Sequence, residues 1–409
     1  MHRRIVAMVA ALLAVGVFME GRCASKGAPE VADSWVGTWS TALQLVEPHN
    51  MPPEPGLSSN TLRQVVKVSV GGNLLRLHLS NEYGNAPLQV SAVRLARSDG
   101  MDAIDTGTAC ALTFGGEESV RIGIGSFVTS DPFAYDLEPG TELAITLCFG
   151  EVPSDLTGHP GSRTTSYIVS GNAVEAPEMP ESIRTDHWYV ISGMDVANRP
   201  DASAVVTLGD SITDGRGSGT NRQNRWPDCL AARLRADGHL GHVAVLNKGI
   251  GGNCVLKPCL GPSALDRFAR DVLNEAGVRW LIILHGVNDI GGSRDENAEA
   301  VVRQLTEAYA AMIEQAHDKG IKVFGATILP FGGSFYDSPV HEEVRQSVNH
   351  WIRTSGRFDA VIDLDKALGD PDMPTRLRAE ADTGDHLHPS ETGHQMIADA
   401  IDLSLFRED

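Results

Sequence analysis

Up to about residue 200, apolar and polar residues alternate in short runs that are separated by turn residues. Alternation with a period of two predicts β-strands that bury one face. The runs are 66–70, 75–79, 88–96, 120–127, 141–148, 165–169 and 188–191. The first two flank Gly71-Gly72-Asn73, so we expect them to form a β-hairpin. Many short strands with frequent turn signals predict an all-β sandwich, or jelly roll, over residues 33–197.

Beyond residue 203, compact apolar runs alternate with helical patterns. The apolar runs are 204–208, 243–246, 281–284, 323–327 and 361–364. Between them lie segments such as 297–319, in which apolar residues recur at i+3 and i+4. Alternating strands and helices with nearly continuous apolar strands predict a parallel sheet covered on both faces, here over 203–409. Residues 198–203 contain Pro, Asp and Ser and are interpreted as a linker.

The N-terminus has the pattern of an export signal. His2, Arg3 and Arg4 precede an apolar run over 5–18, and small residues follow at 21–24. The run is too short for a comfortable membrane span, so we expect residues 1–24 to be removed and the protein to be secreted or periplasmic, with no remaining span. Two alternatives are a buried N-terminal helix and a lipid anchor on Cys23, although arginine precedes that cysteine.

Composition narrows the class of protein. The chain has 409 residues, enough for two domains, and 42% of them are hydrophobic. A net charge of −19 repels phosphate backbones, so a nucleic-acid partner is not expected. Export would permit disulfides, and Cys254 and Cys259 are close enough to close one loop. Cys110 and Cys148 could join two strands, but spacing alone does not fix the pairing.

Residues that can do chemistry follow the predicted parallel strands. Ligands of an open parallel sheet bind at the carboxyl ends of its strands. The segments at those ends are Gly209-Asp210-Ser211-Ile212-Thr213, the glycine-rich 247–253, His285-Gly286-Val287-Asn288-Asp289 and, after the last strand, 382–389. A hydroxyl, a glycine-rich loop, an amide side chain and an Asp/His pair are therefore expected at one rim of the sheet.

This combination of groups is what acyl transfer requires. A serine hydroxyl such as that of Ser211 is a poor nucleophile until a base takes its proton. His388 can act as that base, and Asp385, three residues earlier, can orient the imidazole. The backbone N–H groups of Ser211 and Gly252 and the side-chain amide of Asn288 can donate to the oxyanion of a tetrahedral intermediate.

Each of these residues also has a purely structural interpretation. Ser211 could cap a helix, and 249–252 could be a tight turn. A metal site built from His386, His388 and His394 would lack defined carboxylate partners. The sequence contains neither a G-x-S-x-G elbow nor a Walker A motif, and no G-x-G-x-x-G follows a strand. We therefore expect an enzyme that uses neither a metal nor a cofactor.

Four blocks taken together resemble the SGNH (GDSL) hydrolase family, and the resemblance covers about residues 203–405. The blocks are Gly-Asp-Ser-Ile-Thr (209–213), the glycine-rich loop ending at Gly252, Gly-Val-Asn-Asp (286–289) and Asp-His-Leu-His-Pro (385–389). The resemblance implies a flavodoxin-like three-layer domain and a serine esterase without a cofactor.

The resemblance also implies roles for five residues. Ser211, His388 and Asp385 would be the catalytic triad. Ser211, Gly252 and Asn288 would form the oxyanion hole. His285 departs from the family pattern, because an acidic or apolar residue is expected before the third block. It would either perturb the pKa of the site or contact the substrate.

Within the family, the closest similarity is to secreted arylesterases and acylhydrolases associated with xylan-degrading systems. The tracts that carry it are 210–214, 224–227 and 261–265, together with the β-domain beginning at 35–39. It implies short acyl substrates, above all acetyl groups on a polysaccharide, or small esters. The alternatives are a lipase or lysophospholipase-like acylhydrolase, and a carbohydrate-binding protein with vestigial catalysis. In a third interpretation the β-domain only braces one side of the active cleft.

Overall fold

The computed structural model describes residues 34–197 and 201–407. The predicted export signal and the first residues of the predicted linker lie outside the described residues. Over the described part of the chain, no helix combines the length and apolar character that a membrane span needs.

The first half consists of strands that pair almost entirely with distant parts of the chain. These strands are β1 (Trp35–Ser40), β2 (Gln44–Leu45), β3 (Asn60–Lys67), β4 (Gly72–Asn81), β5 (Leu88–Ser98), β6 (Ile104–Leu112), β7 (Val120–Ile122), β8 (Ser126–Thr129), β9 (Phe133–Leu137), β10 (Glu142–Phe149), β11 (Thr157–His159), β12 (Ser166–Ser170), β13 (Ile183–Thr185), β14 (Trp188–Tyr189) and β15 (Ile191–Ala197). A 3-10 turn covers Pro48–Asn50.

These strands form three antiparallel sheets. One has the order β1-β15-β4-β8, with β9 also paired to β4; a second has the order β13-β12-β3-β10-β5-β6, with β7 also paired to β5. A small third sheet has the order β14-β11-β2. Buried apolar residues of the two large sheets belong to one core. This arrangement agrees with the predicted β-sandwich.

The predicted Gly-Gly hairpin is wrong. β3 pairs with β10 and β12, whereas β4 pairs with β15, β8 and β9, so the two strands lie in different sheets. Between them, Ser69 donates from its hydroxyl to Thr38 O (2.9 Å) and Val245 O (3.0 Å). The chain therefore crosses between sheets here, since long-range contacts outweigh the local turn signal. The run 120–127 is also divided, into β7 and β8, by a turn at Gly125 (φ +67°).

The second half is built on one parallel sheet, as predicted. Its order is β17-β16-β18-β19-β20. The strands are β16 (Ser203–Gly209), β17 (Val243–Gly249), β18 (Val278–Leu284), β19 (Lys322–Ala326) and β20 (Ala360–Ile362). Every residue of the interior strand β16 is buried, which explains why its sequence is nearly continuously apolar.

Helices cover this sheet in two groups, in which α2 packs on α8 and α5 packs on α6. The helices are α1 (Ser211–Asp214), α2 (Trp226–Ala236), α3 (Ala264–Phe268), α4 (Val287–Gly291), α5 (Ala298–His317), α6 (Pro339–Thr354), α7 (Leu364–Leu368) and α8 (Glu391–Asp399). A π-helical turn at Ala269–Leu273 extends α3, and 3-10 turns cover Asp295–Asn297, Ala379–Ala381 and Leu403–Phe406. The predicted α/β class is confirmed.

The two halves are joined by direct hydrogen bonds. The N–H of Gly37 on β1 donates to Ala276 O (3.0 Å). Lys248, near the end of β17 and only 3% exposed, donates to Thr41 O (3.0 Å) and pairs with Glu275 (2.7 Å). A buried ammonium must be paired and hydrogen-bonded to be tolerated. Lys248 therefore fixes the end of strand β17 against the N-terminal half.

One disulfide expectation is met and one is wrong. Cys254 and Cys259 form a disulfide that closes the predicted loop. Cys148 is a free thiol, so the suggested bridge to Cys110 does not exist. Cys229 is also free and lies on α2, within the predicted helical pattern.

Candidate active site

Ser211 lies at the start of α1, just after the interior strand β16. Asp210 has an extended backbone and caps this short helix, accepting a hydrogen bond from Ile212 N (3.1 Å). The turn is tight: a Cβ at Gly209 would lie 2.1 Å from Thr213 Oγ1. Glycine is therefore required here, and the turn presents the hydroxyl of Ser211 to a surface cavity that this residue lines.

The structure brings Ser211, His388 and Asp385 together in one hydrogen-bonded chain. His388 Nε2 lies 2.9 Å from Ser211 Oγ, and its Nδ1 lies 2.7 Å from Asp385 Oδ2. The other oxygen of Asp385 accepts the backbone N–H groups of His388 (2.8 Å) and Leu387 (3.0 Å). This geometry fixes the tautomer in which Nδ1 carries the proton and Nε2 can accept one from the serine.

The pKa values of this pair favour a neutral base beside a charged carboxylate. Burial lowers the pKa of His388 below its ordinary value, against the opposing effect of Asp385, and the positive charges of Arg216 and Arg163 lower it further. Burial alone would raise the pKa of Asp385, but the hydrogen bonds from His388 and Leu387 hold it well below its usual range. His388 is therefore ready to accept a proton at neutral pH.

The glycine-rich loop contributes a backbone donor at Gly252. Its φ of +68° lies in the left-handed region, which favours glycine. A Cβ here would lie 2.7 Å from the side chain of Leu260, which itself donates its N–H to Gly252 O (3.3 Å). The Cys254–Cys259 disulfide closes the intervening loop. Leu260 therefore forms a close apolar wall beside the predicted oxyanion donors.

Asn288 lies on α4 and faces the same cavity. Its side-chain N–H donates to Asn253 O (2.7 Å), and its oxygen accepts from the hydroxyl of Tyr336 (3.1 Å). Because the amide nitrogen has two hydrogens, one remains for a ligand while the two contacts fix its orientation. The three residues predicted to supply oxyanion donors thus line one cavity.

Asn253 and Arg267 are site-supporting residues that the sequence analysis missed. Asn253 Oδ1 accepts from Arg267 Nε (3.1 Å) and lies 3.1 Å from His285 Nε2. Its amide donates to Leu260 O and Pro262 O, both at 2.7 Å. The only signal was position, because Asn253 is the last residue of the glycine-rich segment 247–253. Its side chain holds that loop in place from behind.

His285 supports the site from beneath. It is fully buried, so it does not contact the substrate as one interpretation allowed. Gly286 N donates to its Nδ1 (2.9 Å), and that nitrogen lies 3.7 Å from Asp210. Burial holds the pKa of His285 well below its ordinary value. It is therefore a neutral ring that binds Asn253, and the same layer contains Tyr309, whose hydroxyl donates to His285 O (2.7 Å).

Two buried carboxyl groups lie in this layer. Burial raises the pKa of Asp210 to about 7, and the nearby negative charge of Asp289 adds to the effect. Burial also raises the pKa of Asp289, although this side chain accepts from Val255 N (2.8 Å) and Leu256 N (3.0 Å). Asp289 therefore anchors the start of the disulfide loop.

The cavity in front of Ser211 has a volume of about 500 Å³, and both halves of the chain line it. The first half contributes a set that the sequence analysis did not identify: Gln44, Glu47, Asn50, Pro160, Gly161, Arg163 and His187. His159 of the first half lies 2.9 Å from Asp214 at the end of α1. The β-domain thus lines one side of the candidate site.

The histidines suggested as metal ligands have other partners. His386 is exposed and pairs with Asp382 (2.5 Å). His394 is buried and bonds to Trp226 N (3.2 Å) and Arg216 O (3.1 Å). Among the residues described, no cluster of three or more His, Cys, Asp or Glu side chains has metal-binding geometry.

Replacing Asp210 with Asn tests the buried carboxyl layer. The pKa of Asp210 is about 7 when folded, against about 3.8 when unfolded, so the wild-type protein loses stability as pH rises through this interval. Asparagine caps a helix as well but does not titrate. We expect the unfolding free energy of Asp210→Asn relative to wild type to increase by about 2 kcal/mol between pH 5 and pH 8.

Urea unfolding at several pH values measures this difference. Asp318→Asn, which removes an exposed carboxylate at the end of α5, is the matched control for the loss of one negative charge. If the difference in unfolding free energy between Asp210→Asn and wild type does not change with pH, Asp210 is not protonated in the folded protein.

Residues 207–396 match the model of the GDSL-like Lipase/Acylhydrolase family. No curated protein matches the chain. Similar solved structures include the lipase/acylhydrolase from Enterococcus faecalis (23% identity, 48% of this chain, 92% of that chain, TM-score 0.38). Another is an acetyl xylan esterase from Geobacillus stearothermophilus (22% identity, 49% of this chain, 93% of that chain, TM-score 0.38). A third is a GDSL-like lipase from Bacteroides thetaiotaomicron (20% identity, 48% of this chain, 85% of that chain, TM-score 0.36). The protein is therefore an ester hydrolase, and its residues 207–396 are similar to the GDSL-like lipase/acylhydrolase family.

Proposed function

We propose that this ester hydrolase uses Ser211, His388 and Asp385 to remove short acyl groups, above all acetyl, from a carbohydrate or a small ester. The observation that carries the proposal is the continuous hydrogen-bonded chain from Asp385 through His388 to Ser211. It ends in a cavity that Gly252 and Asn288 also line.

In the first half of the reaction, His388 Nε2 takes the proton of Ser211 as Oγ attacks the ester carbonyl carbon. The carbonyl oxygen becomes negatively charged and accepts from the N–H groups of Ser211 and Gly252 and from the amide of Asn288. Each preorganised donor of this kind contributes about 3 kcal/mol to lowering the barrier. The imidazolium then gives its proton to the leaving alcohol, which leaves an acyl-serine.

In the second half, water takes the place of the alcohol. His388 removes a proton from the water as it attacks the acyl-serine, and the same donors stabilise the second oxyanion. Collapse releases the carboxylic acid and returns the proton to Ser211 Oγ. Asp385 stays ionised throughout and stabilises the imidazolium.

The walls beside the oxyanion donors support a small acyl group. Leu260 packs against Gly252 so closely that a Cβ there would lie 2.7 Å away. Tyr336 closes another side, because its hydroxyl bonds to Asn288 and its ring would lie 2.2 Å from a Cβ at Gly291. Both side chains therefore stand next to the position where the acyl group would bind. The predicted export signal supports action on esters outside the cytoplasm.

Ser211→Ala tests the nucleophile. We expect kcat/KM for p-nitrophenyl acetate to fall at least about 10³-fold, since removing a triad serine leaves only binding and oxyanion stabilisation. Ser58→Ala, in an exposed turn of the first half, should retain wild-type activity. If Ser211→Ala keeps more than a tenth of the wild-type rate while remaining folded, another group is the nucleophile.

Leu260→Ala tests the proposed acyl wall. Shortening this side chain should admit longer chains and raise the ratio of kcat/KM for p-nitrophenyl butyrate over acetate by about tenfold, because one methylene group is worth about 1–3 kcal/mol in such a pocket. Leu265→Ala, on α3 and also partly exposed, lies outside the cavity and serves as control. If the butyrate-to-acetate ratio of Leu260→Ala is unchanged, the acyl group does not bind against Leu260.

A further inference from the structure

Most carboxylate oxygens in the cavity wall already accept hydrogen bonds from neighbouring residues. Both oxygens of Glu47 accept side-chain amides, one from Gln44 and one from Asn50. Both oxygens of Asp385 are occupied by the His388 ring and by backbone N–H groups. One oxygen of Asp214 lies 2.9 Å from His159 Nε2, while its second oxygen is buried without a partner. Most carboxylate oxygens in this wall therefore already have a hydrogen-bond partner within the protein.

Two arginine side chains in the same wall, by contrast, have no hydrogen-bond or ion-pair partner among the described residues. Arg163 from the first half and Arg216 from the second half both line the cavity. Within the described part of the chain, neither guanidinium forms an ion pair or a side-chain hydrogen bond. Arg163 Nε is buried and unpartnered. A buried donor without a partner costs about 1–3 kcal/mol, which points to a ligand that completes it.

The backbone of Arg163 supports the same interpretation. Its φ of +51° lies in the left-handed region, which non-glycine residues rarely adopt. Its carbonyl accepts from Asn221 N of the second half (2.9 Å), so a contact between the halves holds the residue in place. Strained backbone of this kind is found disproportionately at binding and catalytic sites.

Arg163 and Arg216 line the same cavity as His388, and their positive charges act on its ring. Leu260 packs instead against Gly252, one of the proposed oxyanion donors. His388 must protonate the leaving alcohol, so the alcohol portion of the ester occupies the arginine side. Neither arginine forms an ion pair among the described residues, although the net charge of the protein is −19.

We infer that the alcohol portion of the substrate carries a carboxylate, which Arg163 and Arg216 bind; this inference rests on the proposed function. Guanidinium groups bind carboxylates in a two-pronged, charge-assisted geometry. The unpartnered oxygen of Asp214 accepts a hydroxyl in the same cavity. A carboxylate beside hydroxyl groups describes an acidic sugar, so the substrate class is an O-acylated uronate.

A matched pair of acetyl esters tests the inference: 4-acetoxybenzoate, whose alcohol portion is anionic, and its neutral methyl ester. The readout is the ratio of kcat/KM for the anionic ester over the neutral ester, in which loss of general activity cancels. We expect Arg163→Gln and Arg216→Gln each to lower this ratio by about tenfold. Raising NaCl from 0.05 to 0.5 M should lower the wild-type ratio as well, since salt screens charge attraction.

Arg303→Gln removes an exposed arginine of α5 outside the cavity and should leave the ratio unchanged. Arg216 is exposed, so Arg216→Gln should fold and still measure the preference for the anionic ester even if Arg163→Gln fails to fold. Arg163→Lys should lose part of the preference, because lysine keeps the charge but not the planar fork. An unchanged ratio in Arg216→Gln and Arg163→Lys, with both esters hydrolysed, overturns the inference and leaves the proposed function standing. Failure of the wild type to hydrolyse either ester overturns both.

Discussion

The structure of the site depends on holding one imidazole between two oxygen atoms. Ser211 and His388 are separated by 177 positions in the chain, and their side chains lie 2.9 Å apart. The 382–389 loop makes this possible, because Asp382 accepts the N–H groups of Gly384 (2.8 Å) and His386 (2.9 Å). Thr383 N donates to His388 O (3.2 Å). The base is thereby fixed by its own loop before any substrate arrives.

The serine side is fixed by a buried cation. Arg267 is 1% exposed, and it donates to Lys248 O (2.7 Å), to Gly209 O (3.0 Å) and to Asn253. One guanidinium therefore ties the ends of the two neighbouring strands β16 and β17 to the loop that presents Gly252. Asp271, at 2.8 Å, compensates its charge. Burying an arginine is costly, and here it holds the proposed nucleophile and the proposed oxyanion donors in a common frame.

The sequence predicted the parallel sheet and the five candidate site residues because both depend on local pattern. Apolar runs mark buried strands, and the segments that follow such strands must share one rim. The β-domain was predicted less well. β3 and β4 were expected to pair across Gly71-Gly72, but the crossing between sheets is decided by contacts such as that of Ser69 with Val245, about 176 positions away. Local turn chemistry carries no information about such a partner.

The same reason explains which parts of the site were missed. Arg163 and Glu47 reach the cavity only because the two halves of the chain pack together, and no periodicity reports that packing. Asn253 and Arg267 act from behind the site, so they belong to none of the four sequence blocks that were singled out. His285 was recognised as unusual, but its burial beneath Asn253 required the three-dimensional arrangement. Long-range packing, rather than local pattern, thus determines both the support and the substrate-facing wall.

The most direct measurement is a crystal structure of the protein after reaction with a methyl fluorophosphonate, in which the methyl group on phosphorus stands for the methyl group of acetyl. The account predicts a covalent bond from phosphorus to Ser211 Oγ. It also predicts a phosphoryl oxygen within hydrogen-bonding distance of Ser211 N, Gly252 N and Asn288 Nδ2, with His388 beside the vacated leaving-group position. Attachment to another residue, or an oxygen directed away from those three donors, would contradict it.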